Sequence, residues 1–133
     1  MKRMLCSVAL VLMLAANAFG ADKTEVTFWH AMGGKRAAFI QRMVEDFNYT
    51  HQNVEVSAEY KGSYRDTLNA AILAYKQGTP PNVVQIFEVG SQVALDSGIF
   101  MPFEDTVRQG DFAMLEDFVD GVANYYRING KFN

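Results

Sequence analysis

The hydrophobic positions between residues 26 and 90 change spacing repeatedly, from strand-like runs to helical stripes and back. Strand-like runs are expected at Val26–Trp29, Val54–Tyr60 and Asn82–Phe87, with helical stripes at Phe39–Phe47 and Tyr64–Tyr75 between them. With a short helix after the third strand, the series is β-α-β-α-β-α, which predicts a parallel or mixed sheet with right-handed crossovers. The predicted fold class is therefore α/β with flanking helices. A strand order of 2-1-3 would make the first and third strands neighbours.

Glycine and proline set the expected helix boundaries. Gly33-Gly34 precedes the first helix, and the second helix ends at Gly78 just before Pro80-Pro81. A short helix over residues 91–97 is closed by Gly98, and a last amphipathic helix is expected from about 112 to 122. The apolar stripe of the first helix is Phe39, Ile40, Met43, Val44 and Phe47, and that of the second is Tyr64, Leu68, Ala71, Ile72 and Tyr75.

The first twenty residues have the pattern of a cleaved signal peptide. Lys2-Arg3 precedes an apolar stretch over residues 5–16, which is shorter than the roughly 20 apolar residues a membrane span needs. Small residues then favour cleavage after Ala18 or Gly20. The predicted division is a signal peptide at residues 1–20 and a mature domain from residue 21, with a membrane anchor as the alternative.

Removal of that segment changes the charge and the cysteine count. The whole chain has 12 basic and 15 acidic side chains, so loss of Lys2 and Arg3 would leave a net charge of −5. A mildly acidic chain without basic runs is unsuited to binding nucleic acid or anionic membranes. Cys6, the only cysteine, would leave with the leader. The mature domain would then have no disulfide, thiol nucleophile or cysteine-based metal site.

The carboxyl-terminal residues predict a hairpin. Residues 124–128 have a strand-like pattern, Asn129-Gly130 is a strong hairpin turn signal, and Lys131–Asn133 would be the returning strand. Because so short a strand is barely paired, we interpret residues 21–133 as an incomplete part of a longer protein. The alternative is an edge hairpin that closes a small domain.

Four side chains near the predicted strand ends are candidates for a ligand site: Trp29, His30, Tyr64 and Glu88. The carboxyl ends of parallel strands share the edge at which such sheets bind ligands, so these groups are expected to converge. Glu88 could accept two hydrogen bonds from vicinal hydroxyls, or be a solvated carboxylate or helix cap. Tyr64 could line a cleft or pack in the core. Trp29 could stack on a polyol or be buried, and His30 could donate a hydrogen bond or be structural.

Enzyme, metal and cofactor motifs are missing from the sequence. There is no Gly-x-Ser-x-Gly elbow, no phosphate-loop pattern and no His/Asp/Glu cluster with metal-ligand spacing. We therefore assign no catalytic residue, metal ligand or cofactor. Two readings from other classes stay open. An exported hydrolase could use Glu88 as acid or base, given a second catalytic group, and the chain could be a small interaction domain.

Four segments resemble a known family, the periplasmic solute-binding proteins of ABC importers. They occur in family order and cover most of residues 26–90. The Tyr-Lys-Gly-x-Tyr and Glu-Val-Gly pieces are typical of the glycerol-phosphate branch, whereas the others suit many sugar-binding relatives. The four segments are Phe28–Met32, Glu59–Tyr64, Gly78–Pro81 and Gln85–Gly90.

The resemblance implies a two-lobed periplasmic-binding-protein fold of type II, of which residues 21–133 would supply an incomplete first lobe. It implies a monomeric, non-enzymatic protein of the periplasm that binds sn-glycerol 3-phosphate or glycerophosphodiesters and delivers them to ABC permease subunits in the inner membrane. Tyr64 and Glu88 match ligand-contacting positions, and the other contacts, including the cationic ones for phosphate, would lie beyond Asn133. A binder of neutral oligosaccharides is the alternative within the family.

Overall fold

The computed structural model describes residues 23–107, 117–128 and 130–132. The predicted signal peptide lies outside the described residues. The strands are β1 (Thr24–His30), β2 (Val54–Tyr60), β3 (Val83–Val84), β4 (Arg127–Ile128) and β5 (Lys131–Phe132). The helices are α1 (Lys35–Thr50), α2 (Tyr64–Lys76), α3 (Ser91–Ser97), α4 (Phe103–Thr106) and α5 (Asp120–Tyr125), with a 3₁₀ turn at Glu88–Gly90.

The first three strands form a parallel sheet in the order β2-β1-β3, so the first and third strands are neighbours. The sequence predicted a parallel or mixed sheet but left this order open. The register pairs His30 with Tyr60 and Trp29 with both Glu59 and Val84. The three strands therefore end at one edge, which we call the carboxyl edge. Because β1 is central, the groups that follow all three strands are brought to the same side of the sheet.

Strand β3 is shorter than the predicted Asn82–Phe87 run. Its ladder covers only Val83–Val84, although the N–H of Asn82 and of Gln85 also donate to carbonyls of β1. Beyond Gln85 the chain leaves the sheet and enters the 3₁₀ turn. Val83 is exposed, so the apolar run does not mark a strand that is covered on both faces within the described residues.

Helix α2 begins sharply because of a capping box. The Ser63 hydroxyl accepts a hydrogen bond from the Asp66 N–H, and the Asp66 carboxylate accepts one from the Ser63 N–H. The helix then packs Leu68, Ala71 and Ala74 as buried residues. Tyr64 is thus fixed as the first helical residue, directly after the turn that follows β2.

The carboxyl-terminal part differs from the sequence prediction. Residues 112–116 of the predicted helix lie outside the described residues, and residues 117–119 are not helical, because the backbone at Val119 is extended and α5 starts only at Asp120. The predicted strand over residues 124–128 is also wrong for Asn124 and Tyr125, which are helical, with Ala123 buried. The predicted hairpin is present, since β4 and β5 pair antiparallel.

The hairpin packs through an aromatic cluster. Phe132 is buried, and its ring lies 5.6 Å from that of Phe103 and 5.2 Å from that of Phe118. The Phe132 N–H also donates to the Glu104 carboxylate at 2.9 Å. Phe118, predicted on a helical stripe, instead precedes α5 as part of this cluster, which gives a physical reason for the later helix start.

Helix α1 has the predicted apolar stripe, but little of it is covered. Val44 is buried, whereas Phe39, Met43 and Phe47 are exposed. The helix lies against β2, where Asn48 hydrogen-bonds both the N–H and the C=O of Val56. These bonds satisfy backbone groups on the outer side of an edge strand. Among the described residues, no helix has both the length and the apolar character needed to cross a membrane.

Candidate functional site

The carboxyl edge is held together by hydrogen bonds between the segments that follow the three strands. The Lys61 N–H donates to the His30 carbonyl at 2.9 Å, and the Gln85 N–H donates to the Trp29 carbonyl at 2.8 Å. The Gln85 side chain then accepts the Ala31 N–H at 3.0 Å. These bonds hold the segment after β1 between the segments that follow β2 and β3, so the carboxyl edge is an ordered surface.

Tyr64 is half-buried at this edge, and its ring stacks on that of Phe87. The ring centroids are 5.3 Å apart with an interplanar angle of 20°. Such aromatic pairs contribute about 0.5–1.5 kcal/mol beyond the area they bury. One face of the Tyr64 ring therefore packs against Phe87 at the start of α2, and its contact with a ligand stays a prediction.

Glu88 opens the 3₁₀ turn and is exposed. Its side chain caps neither that turn nor α3, so the helix-cap reading is not realised. The turn is tied down from elsewhere: the Tyr125 hydroxyl donates to the Glu88 carbonyl at 3.2 Å. A solvent-facing carboxylate on a fixed backbone can accept hydrogen bonds from a ligand without first breaking an internal cap.

The Phe87 ring connects the two predicted contacts. It stacks on Tyr64 on one side, and on another it approaches Gly90 so closely that a Cβ there would lie 2.7 Å from the ring. Gly90 is buried and close to Leu68 of α2. The sequence predicted Phe87 only as the end of a strand and gave no sign of its contact with Tyr64. The glycine two residues after Glu88 was the signal for this close approach.

His30 has a structural role. It is buried, and its Nδ1 accepts the Met32 N–H at 3.2 Å. Burial lowers the pKa of His30, which agrees with this bond because only an unprotonated Nδ1 can accept. The ring also lies 5.5 Å from Phe28 and 6.1 Å from Tyr60. Its hydrogen bond to Met32 turns the chain away from the end of β1.

A cluster of Trp29, Glu59 and Lys61, which we call the edge cluster, was not anticipated. The Lys61 ammonium lies 3.9 Å from the centroid of the Trp29 ring and 2.5 Å from Glu59 Oε2. The hydrogen bond from Lys61 is the main cause that lowers the pKa of Glu59, with the Lys61 charge and a Trp29 hydrogen bond as smaller causes. Glu59 is therefore ionised at neutral pH, and Lys61 is its counter-ion.

A groove of about 560 Å³ lies elsewhere, between α1 and β2. Its walls come from the middle of these elements and from the residue before β1, and Asn48 bonds the strand within it. None of the candidate ligand residues lines it. Its lining residues are Lys23, Gln41, Val44, Glu45, Asn48, Tyr49, Glu55, Val56, Ser57 and Ala58.

Several solved structures with this fold are solute-binding proteins. The cyclic alpha-maltosyl-1,6-maltose binding protein from Arthrobacter globiformis matches 82% of this chain and 27% of its own at a TM-score of 0.69 and 24% identity. The galacto-N-biose-/lacto-N-biose I-binding protein of the ABC transporter from Bifidobacterium longum matches 83% of this chain and 27% of its own, also at 0.69, with 17% identity. The predicted fold class is confirmed: the chain has part of the two-lobed fold of solute-binding proteins.

Among curated sequences, the chain is similar to the sn-glycerol-3-phosphate-binding periplasmic protein UgpB. It is 32% identical to that of Agrobacterium fabrum over 126 residues, which are 93% of this chain and 28% of the relative. It is 33% identical to that of Yersinia enterocolitica over 120 residues, 90% of this chain and 27% of the relative. No family model matches. The predicted resemblance is confirmed, and the chain spans a little over a quarter of the length of these relatives.

Proposed function

We propose that this chain belongs to the solute-binding component of an ABC uptake system, located in the periplasm. The observation that carries the proposal is the similarity to glycerol-3-phosphate-binding proteins along about nine-tenths of the chain. Support also comes from the position of the two residues, since Tyr64 is half-buried at the start of α2 and Glu88 is exposed in the turn after β3. The relatives are binding proteins, so the proposed role involves no covalent chemistry.

The proposed ligand is sn-glycerol 3-phosphate or a glycerophosphodiester. The Glu88 carboxylate would accept hydrogen bonds from the glyceryl hydroxyls, and the Tyr64 hydroxyl would bond a ligand oxygen while its ring is held by Phe87. A ligand that also contacts a second lobe would favour the closed state by its differential affinity for closed over open. The complex would then be recognised by the membrane permease.

A second candidate is a binder of neutral oligosaccharides. Structures with the same fold include a mannotriose-bound protein and a maltotriose-binding protein, and a carboxylate beside an aromatic ring suits sugar hydroxyls as well as glyceryl ones. An exported hydrolase that uses Glu88 has less support, because the similar proteins bind ligands.

The test begins with sequencing the gene through and beyond codon 133 and purifying the encoded protein. Calorimetric titration should then compare glycerol 3-phosphate, a glycerophosphodiester, maltotriose and mannotriose. Micromolar or tighter binding of the glycerol phosphates alone would support the proposal. Binding of the oligosaccharides alone would replace it with the second candidate, and failure to bind any of the four would reject both.

A further inference from the structure

The edge cluster has a feature that an ordinary surface ion pair lacks. The described residues contain three ion-paired lysines, and the side chain of Lys61 is 26% exposed, compared with 45% for Lys23 and 44% for Lys131. The Lys61 ammonium also lies over the Trp29 ring, 3.9 Å from its centroid. A cation over an aromatic face is attracted to it, and more strongly when the contact is desolvated. The ammonium is thus held in one place.

The position of this ammonium matters as much as its restraint. The backbone N–H of Lys61 forms the last hydrogen bond between β1 and β2 at the carboxyl edge, and Tyr64 follows three residues later. Parallel α/β sheets bind ligands at that edge. A lysine ammonium has three donor hydrogens. Its acceptor within the described residues is one oxygen of the exposed Glu59 carboxylate.

We propose that Lys61 is an anion-binding residue of the carboxyl edge, and that its ammonium exchanges Glu59 for the phosphate group of the ligand. This inference rests on the proposed function. It adds a cation within this chain to those that the family resemblance implies beyond Asn133, and this cation would favour a phosphorylated polyol over a neutral sugar. A phosphate group offers more negative charge and more acceptor oxygens than one carboxylate, and lysine binds it as a point charge. Glu59 is the resting partner, which keeps the ammonium oriented when no anion is present.

The sole tryptophan makes the exchange measurable. Trp29 is the only tryptophan in the chain, so its fluorescence reports the edge cluster and nothing else. The chain, secreted into the periplasm of a bacterial host and purified, should be titrated with sodium phosphate, glycerol 3-phosphate and glycerol. Sodium chloride should keep the ionic strength constant at about 0.15 M.

Phosphate and glycerol 3-phosphate are expected to change the Trp29 emission with half-saturation in the millimolar range, and glycerol is expected to have no effect. Lys61→Met should raise the half-saturating phosphate concentration at least tenfold, while Lys61→Arg should restore most of the response. Glu59→Gln should lower that concentration several-fold, because the competing carboxylate is gone. Lys23→Met is the matched control, since Lys23 precedes β1 and pairs with Glu55 of β2 at the opposite edge of the sheet, and it should behave as wild type.

The proposal is overturned if wild type responds no more to phosphate than to chloride, or if Lys61→Met titrates as wild type does. An unchanged half-saturation in Glu59→Gln would overturn the exchange even if Lys61→Met failed to fold. These outcomes are separable from the proposed function. If the gene product binds glycerol 3-phosphate equally well with Lys61→Met, the inference about Lys61 fails and the function stands. If phosphate binds through Lys61 but glycerol 3-phosphate has no affinity for the gene product, the function fails.

Discussion

A methyl group added at Gly90 tests how tightly the turn that carries Glu88 is packed. The Cβ of an alanine there would lie 2.7 Å and 3.0 Å from two carbons of the Phe87 ring and 3.3 Å from a methyl carbon of Leu68. The Gly90 backbone has φ −85° and ψ −8°, which an L-residue can adopt, so the cost comes from the collision. Overpacking of this kind costs about 1–3 kcal/mol.

The assay is urea unfolding followed by far-ultraviolet circular dichroism. With slopes of about 1–3 kcal/mol per molar urea for small proteins, Gly90→Ala should lower the midpoint by about 1 M. Gly121→Ala is the matched control, because it makes the same chemical change in α5 where nothing lies within 4 Å of the new Cβ. It should leave the protein unchanged or stabilise it by up to about 1 kcal/mol, since alanine is the better helix former.

A double-mutant cycle with Phe87→Ala identifies the colliding group. Removal of the ring should relieve most of the cost of Gly90→Ala, which gives a coupling free energy of about 1 kcal/mol or more. The reasoning is refuted if the two substitutions are additive, or if the midpoint of Gly90→Ala is no lower than that of Gly121→Ala.

Three further predictions concern binding, pH and processing. In the ligand-binding gene product, Glu88→Ala should weaken glycerol 3-phosphate binding at least tenfold, about 1.4 kcal/mol, and an unchanged dissociation constant in calorimetry would reject that role. Burial lowers the pKa of His30, so the unfolded state binds more protons below its ordinary pKa of about 6.5 and the free energy of unfolding should fall from pH 7.5 to pH 5.5. His30→Gln should flatten that slope in urea unfolding, and His51→Gln, which retains His30, should keep it. Mass spectrometry of the secreted chain should show cleavage after Ala18 or Gly20, and an uncleaved amino terminus would contradict the signal peptide.

The alternation of strands and helices was predictable from the sequence, but the order of the strands was not. Consecutive β-α-β units and right-handed crossovers leave few arrangements, and the pairing of β1 with both β2 and β3 shows that the order is 2-1-3. Strand β2 begins and ends where the alternating pattern predicts, at Val54 and Tyr60. The end of α5 was not predictable in the same way. Tyr125 favours a strand locally, but it lies in the helix, where Ala123 is buried and the Tyr125 hydroxyl bonds the Glu88 carbonyl.

Some features of the candidate site could be predicted from the sequence, and others could not. Tyr64 and Glu88 could be placed at the carboxyl edge because strand ends and helix starts are visible in the sequence. The contact of Lys61 with Trp29 could not, because it depends on the rotamers of two side chains that are far apart in the sequence. The same holds for the stacking of Phe87 on Tyr64, which joins α2 to the turn after β3.

The two predicted ligand contacts are held by different elements that share one ring. Phe87 stacks on Tyr64 at the start of α2 and presses on Gly90 in the turn that begins with Glu88. Tyr125 of α5 binds the carbonyl of the same turn. A ligand that arrived here would meet a tyrosine ring and a turn that are already ordered. Because ordering side chains on binding costs about 0.5–1.5 kcal/mol for each rotamer-rich group, such preorganisation leaves more of the contact energy for affinity and for lobe closure.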